Sequence, residues 1–395
     1  MRGLRLGRVF GIPVQLNWTF LLILPIFAWV IGSDIDRLTG LVNSVLGGSD
    51  LGVETLTAGL TPWLLGGAAA VGLFAGVLLH ELGHSLVAMR YNVEIESITL
   101  WLLGGVASFK RIPEVWQEEF TIAIAGPLVS VAVGGLSYLA FLVVPETLDP
   151  IRFVLGYLAV MNVGLAGFNM LPGFPMDGGR VLRALLARSR PHAQATQLAS
   201  EVGKAFAFIL GLFGLFAFSP LMILLAFFIY IAASGEAQQS TLKAAFEGVT
   251  VGDIMTPKAE LHVVDPKTTI TNLLGRMVTE RHTGYPVVDP RGELLGVVTR
   301  DHARSVTEVE RDAYTAADVM NREVPTVTPT TEAIGALRTI QEQSVGRLPV
   351  VDSRGELVGI VSKADLMTAF NLVQSRGEAT GIVNNAADSS FPPLR

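Results

Sequence analysis

His80-Glu81-Leu82-Gly83-His84 is the stretch whose reading decides this chain. On an α-helix, residues four apart stand one turn apart on the same face, so both imidazoles can reach one metal ion. Glu81, beside the first imidazole, is placed to take a proton from a water on that metal. The stretch lies late in an apolar run that opens near Trp63. Leu73, Phe74, Val77, Leu78 and Leu79 precede it, and Leu86, Val87 and Ala88 follow. Two histidines and a glutamate in a segment of membrane length are costly unless a metal or a water-filled cavity receives them, so they mark function. The bland alternative is a buried histidine pair satisfied by hydrogen bonds.

A catalytic zinc site needs three protein ligands and one open position. The chain has six histidines, and the other four (His192, His262, His282 and His302) fall in polar contexts. The third ligand should therefore be a carboxylate at bilayer depth. Asp177 is the best placed, in Asn169-Met170-Leu171-Pro172-Gly173-Phe174-Pro175-Met176-Asp177-Gly178-Gly179-Arg180. Pro172 and Pro175 prevent a regular helix there, and Gly178-Gly179 permits close approach of chain or substrate. The competing reading makes Asp177 the N-cap of the next, Arg-rich helix. Glu114, Glu118, Glu119, Glu146 and Asp149 sit at span ends and read as solvated charges.

With 395 residues there is room for two or three domains. Half of the residues are hydrophobic and 16% charged, with a mean hydropathy of +0.49. Those values fit an integral membrane protein carrying a soluble part. A net charge of −6 and the lack of a basic stripe argue against a nucleic-acid partner. The absence of cysteine excludes disulfides, a cysteine nucleophile and thiolate zinc sites. Apolar runs at about 16–31, 63–90, 119–144, 153–171, 205–218 and 221–233 predict six spans. The first is read as a retained helix, since no small-residue cleavage site follows it. Residues 33–62 read as a loop or short surface helix, and 95–109, with Gly104-Gly105, as a membrane-associated hairpin. Basic residues number twelve on one side (Arg2, Arg5, Arg8, Arg90, Lys110, Arg111, Arg180, Arg183, Arg188, Arg190, Lys204 and Lys243) against Arg37 and Arg152 on the other. That bias puts both termini in the cytoplasm.

Beyond about residue 235 the composition becomes that of a soluble domain, and an internal repeat appears. Asp253-Ile254-Met255 recurs as Asp318-Val319-Met320, Pro286-Val287-Val288-Asp289 as Pro349-Val350-Val351-Asp352, and Arg291-Gly292-Glu293-Leu294 as Arg354-Gly355-Glu356-Leu357. A period of about 63 residues, each with a helix between short apolar strands, predicts two packed α/β modules. The reading is thus a transmembrane domain at 1–235, a linker at 236–250, modules at 251–308 and 316–373, and a disordered tail at 377–395.

The sequence resembles the site-2 proteases, intramembrane zinc metalloproteases. The likeness rests on 80–84, on the stretch from Asn169 to Gly178, on Gly104-Gly105 and on Ala125-Gly126-Pro127. It implies one zinc per chain held by His80, His84 and Asp177, Glu81 as general base, and Asn169 steadying substrate or oxyanion. It also implies a transmembrane protein substrate and a location in the cell membrane. The repeat resembles a tandem pair of cystathionine-β-synthase (CBS) domains, which implies an adenosyl nucleotide (AMP or ATP), homodimerisation through the pair, and a cytoplasmic setting. In such domains an Asp three residues after Ser or Thr holds the ribose. Ser362 and Asp365 fit, whereas in the first copy Thr299 is followed by Asp301 one residue early and by His302 in the Asp position. The rival class is a CBS-regulated transporter or channel, which predicts repeated halves with matching broken helices. The chain has one broken helix, at 172–175, without a partner.

Overall fold

The structure, a computed structural model, describes residues 4–47, 51–102, 104–109 and 115–372. Arg2, Lys110, Arg111, Glu114 and the tail at 377–395 lie outside the described residues. The chain forms two compact units, Met1–Ser240 and Thr241–Arg395.

The first unit opens with a feature the hydropathy reading missed. Strand β1 (Leu4–Val9) turns at Phe10-Gly11, both at positive φ (52° and 84°), into β2 (Ile12–Leu16). Tight hairpin turns need that backbone region, and glycine enters it without penalty. Ile12, Val14 and Leu16 alternate inward along β2. β2 pairs in parallel with β3 (Ile95–Trp101), which pairs antiparallel with β4 (Gly104–Phe109), giving the order β1-β2-β3-β4. The expected hairpin is therefore half of a four-stranded sheet, with β4 at one edge.

Helix α1 (Trp18–Ser33) starts at Asn17, whose side chain accepts the Thr19 N–H at 3.1 Å. It bends by 74° into α2 (Ile35–Leu46), and α3 (Val53–Thr57) follows, so short helices fall within 33–62. Then come α4 (Thr61–Arg90), α5 (Trp116–Val143), α6 (Asp149–Asn169), α7 (Asp177–Leu186), α8 (His192–Phe216) and α9 (Pro220–Ala245). Among the described residues five helices are long and apolar enough to cross a membrane, or six if the bent pair counts as one span. Leu64, Leu136, Phe208, Phe216 and Leu221 are all more than 60% exposed, as lipid-facing side chains are. The Arg-rich stretch after Asp177 forms α7 and leads into α8.

The second unit holds the repeat. The first copy comprises α10 (Val251–Ile254), β5 (Thr256–Pro257), α11 (Ile270–Thr279), β6 (Gly284–Val288), β7 (Leu294–Thr299) and α12 (Arg300–Arg304). The second comprises α13 (Ala316–Val319), α14 (Ala333–Glu342), β8 (Arg347–Val351) and β9 (Leu357–Ser362). Each opens with a capping box, Thr250 with Asp253 and Thr315 with Asp318. The copies interlock: β5 of the first pairs with β9 of the second, and the Leu294 and Leu357 N–H groups donate to the Gly355 and Gly292 carbonyls. Phe246 and Val251 are buried with Leu337, Leu348 and Leu366, while Ala316 and Met320 are buried with Ile270, Leu273 and Tyr285. Residues 236–245, expected in a linker, continue α9.

Candidate metal centre

His80 and His84 sit on α4 at 4% and 3% exposure. Their Nε2 atoms are 3.1 Å apart, and each lies 3.1 Å from Asp177 Oδ2. The opposite ring nitrogens are anchored on α5: His84 Nδ1 lies 2.7 Å from the Ile122 carbonyl and His80 Nδ1 2.8 Å from Ser130 Oγ. A carbonyl only accepts, so His84 carries a proton on Nδ1, and in the neutral ring Nε2 then presents a lone pair toward the carboxylate. Electron-rich atoms gathered this closely, away from water, repel one another unless they share a cation. Two imidazoles and a carboxylate, with the rings held from behind, are the donor set of a catalytic zinc site.

The approach of Asp177 follows from the chain around it. It is the first residue of α7, after Met176 as N-cap, and its side chain turns to the rings instead of capping the helix. A Cβ on Gly178 would lie 2.3 Å from the Leu171 carbonyl oxygen and one on Gly179 2.5 Å from the Gly173 carbonyl carbon. Only glycine lets the segment after α6 fold back that tightly.

Glu81 is half-buried, and its Oε2 accepts the Ala107 N–H of β4 at 3.2 Å. Asn169 stays apart from the cluster: its Nδ2 donates to the Leu165 carbonyl at 3.1 Å within α6. Asn162 lies two turns earlier, and a polar amide inside the apolar run is the signal that could have found it. It is fully buried against Gly76 of α4, its Nδ2 donates to Leu158, and its Oδ1 has no partner among the described residues. Ser130, which with Ala123 and Gly126 gives α5 a face of small residues, anchors His80.

Glu119, expected as a solvated charge, is 4% exposed. Its Oε1 accepts Arg183 Nε at 2.6 Å, Arg183 Nη1 reaches Glu236 Oε1 at 2.7 Å, and His192 Nε2 is 3.6 Å from Glu119 Oε2. The guanidinium also lies 4.8 Å above the Phe174 ring. This network ties α7, six residues past Asp177, to α5 and α9. In the second unit, Asp365 Oδ2 accepts from Ser362 N and Oγ, both at 2.8 Å. In the first copy His302 takes that place, bonding Thr299, while Asp301 is exposed.

A model of peptidase family M50 matches residues 68–149 and 147–210, and a CBS domain model matches 251–307 and 316–372. Zinc metalloprotease MJ0392 of Methanocaldococcus jannaschii is 33% identical over 378 residues, 94% of this chain and 97% of the relative. The chain belongs to the M50, or site-2, zinc metalloproteases. This M50 protease is also 32% identical to Rip3 of Mycobacterium tuberculosis, over 93% of the chain and 94% of that protein. A solved site-2 protease from Methanocaldococcus jannaschii shares 35% identity, covering 60% of this chain and 95% of its own, at a TM-score of 0.41. Membership in M50 and the converged triad set aside the transporter reading.

Proposed function

We propose that this M50 protease is an intramembrane endopeptidase in which His80, His84 and Asp177 hold one zinc ion and Glu81 is the general base. The convergence of three donor atoms at 3.1 Å carries the proposal. When bound, zinc supplies Lewis acidity toward a water and toward the scissile carbonyl. Glu81 takes the water proton and hands it to the leaving amide nitrogen, so the C–N bond breaks to a carboxylic acid and an amine. The Ala107 N–H orients the carboxylate through Oε2, and Oε1 takes the proton.

A transmembrane helix hides its carbonyls in its own hydrogen bonds, so a substrate must unwind before cleavage. The outer edge of β4 offers strand addition beside Glu81. A peptide pairing there competes for the Ala107 N–H and releases the carboxylate as substrate docks. The buried Asn162 Oδ1 offers an acceptor to an unwound backbone N–H, whereas Asn169 serves only by leaving the Leu165 carbonyl.

The soluble pair is the regulatory part in this reading, with an adenosyl nucleotide held at Ser362–Asp365 and a weaker claim for Thr299 and Asp301. Homodimerisation through the pair, and termini on the cytoplasmic side as the basic-residue bias indicates, complete it. Glu81→Gln should keep zinc and fold, abolish cleavage and let a transmembrane stub accumulate in membranes. Undiminished cleavage by that variant would remove Glu81 from the mechanism.

A further inference from the structure

The second unit holds a cluster of metal-ligand chemistry separate from the buried triad. His262 precedes α11, Glu280 is the C-cap of α11, and His282 lies just before β6. One donor atom from each lies within 4.8 Å of the others. His262 Nδ1 is 2.9 Å from Glu280 Oε2, and the two imidazole centroids are 5.1 Å apart. Two imidazoles and a carboxylate suit zinc, cobalt(II) or nickel(II) far better than magnesium or calcium.

The carboxylate is held as a ligand usually is. Arg276 Nε donates to Glu280 Oε1 at 3.0 Å, and the Tyr285 hydroxyl donates to Oε2 at 2.8 Å. The Arg276 bond, then the Tyr285 bond, keeps the Glu280 carboxyl below the usual carboxylate range, so it stays ionised. Tyr285 is buried, and the His282 ring meets it edge-on at 5.7 Å, which fixes the second imidazole. Arg276 is itself restrained, donating to the Val263 carbonyl at 3.2 Å and lying 5.2 Å above the Tyr285 ring.

The repeat supplies an internal control. Arg281, between two of the donors, has φ 56°, and its counterpart Ser344 has φ 52°. The matching parallel bridges at Val264–Val287 and Val327–Val350 fix the register between copies. That register sets Pro325, Gln343, Val345, Thr339 and Leu348 opposite His262, Glu280, His282, Arg276 and Tyr285. The fold supplies the turn in both copies, and only the first places donors and their supports around it.

We infer that His262, Glu280 and His282 form a second, exchangeable site for a zinc-class divalent cation on the first CBS copy. The ion inserts into the 2.9 Å His262–Glu280 contact and leaves Arg276 and Tyr285 on the carboxylate. A neighbouring guanidinium and a half-exposed His262 make the site weaker than the buried triad, as an ion-sensing site has to be.

The test is zinc and cobalt(II) titration of the full chain in detergent, read by metal content and by the visible cobalt spectrum. Wild type should bind two ions, the weaker removed by mild chelation, and Asp177→Asn should keep only the weaker. His262→Ala and, separately, His282→Ala should weaken that second ion by at least about 100-fold, with proteolysis in the absence of added metal unchanged. Because His262 is half-exposed, its removal leaves the core intact, and an unchanged thermal transition verifies this. One ion per wild-type chain, or a second ion bound equally well by both histidine variants, would overturn the inference.

Discussion

Gly126→Ala puts a single methyl group into the buried triad. On α5, a Cβ at Gly126 would lie 2.2 Å from His84 Nε2, 2.6 Å from His84 Cε1 and 2.7 Å from His80 Nε2. Non-bonded carbon contacts settle at about 3.5 Å or more, so about 1.3 Å of movement is needed. The rings have little room to supply it. Both are bonded from behind to α5 itself, at 2.7 and 2.8 Å, so moving them away from Gly126 breaks those bonds. The helices have little room either, because Gly83 of α4 already packs so that a Cβ there would sit 3.0 Å from the Ala125 carbonyl. Metal–ligand distances tolerate only about 0.2 Å, and a misplacement of about 1 Å costs about 100-fold in rate. The variant should therefore lose at least about 100-fold in zinc affinity and in cleavage, with about 1–3 kcal/mol lost from fold stability through overpacking. Zinc per chain, measured in a His262→Ala background so that only the buried ion is counted, reads the first quantity. Gly135→Ala is the control, since a Cβ at Gly135 meets nothing within 4 Å. A Gly126→Ala protein with a full, tightly held zinc and normal cleavage would show that the two rings are not where the ion binds.

Other perturbations probe the surroundings. At Gly105 a Cβ would lie 2.6 Å from Glu81 Cγ and 3.2 Å from Val77 Cγ1, so Gly105→Ala should lower kcat by about 10- to 100-fold with zinc content intact; a loss of zinc instead would place the strain elsewhere. Arg183→Ala leaves Glu119, which is buried, without its main partner and should cost about 3–5 kcal/mol in detergent unfolding, much of it recovered by adding Glu119→Gln; an unshifted transition would contradict the network. Hydrogen bonds from Thr250 and Thr315 hold the Asp253 and Asp318 carboxyls below the usual carboxylate range. Their stabilisation is therefore complete above about pH 4 and drains as pH falls through their lower folded values. Asp253→Asn with Asp318→Asn should flatten that acid limb of the second unit's melting curve, and an unaltered limb would assign it to other groups.

What the sequence made legible is local. His80 and His84 share a helix face because of their spacing alone, and the proline-broken segment before Asp177 announces a chain that turns inward. The repeat was visible because its two copies can be compared without any structure. Hydropathy alone hides long-range pairing. Leu4 to Leu16 carries the alternation and the Phe10-Gly11 turn of a hairpin, but its partner β3 begins at Ile95, far along the chain. Glu119 and Arg183 each look like a charge at the end of a span, because nothing in a single sequence records that residues 64 apart neutralise one another.

Ala123, Gly126 and Ser130 show the same limit from the other direction. A face of small residues on an apolar helix reads as a packing surface, and α5 does pack there against α4. The smallness does more than permit approach. It brings the Ile122 carbonyl and Ser130 Oγ within reach of the outer ring nitrogens, and it leaves space over Gly126 for the inner ones. The three donors of the triad are thereby fixed by two long helices and a glycine-folded turn, while Glu81 is held through one backbone N–H of an edge strand. The two sets of contacts have no bond in common, so pairing at the β4 edge can change what Glu81 does without displacing His80, His84 or Asp177. The proposed mechanism, in which an unwound peptide is admitted while the metal stays held, needs that separation.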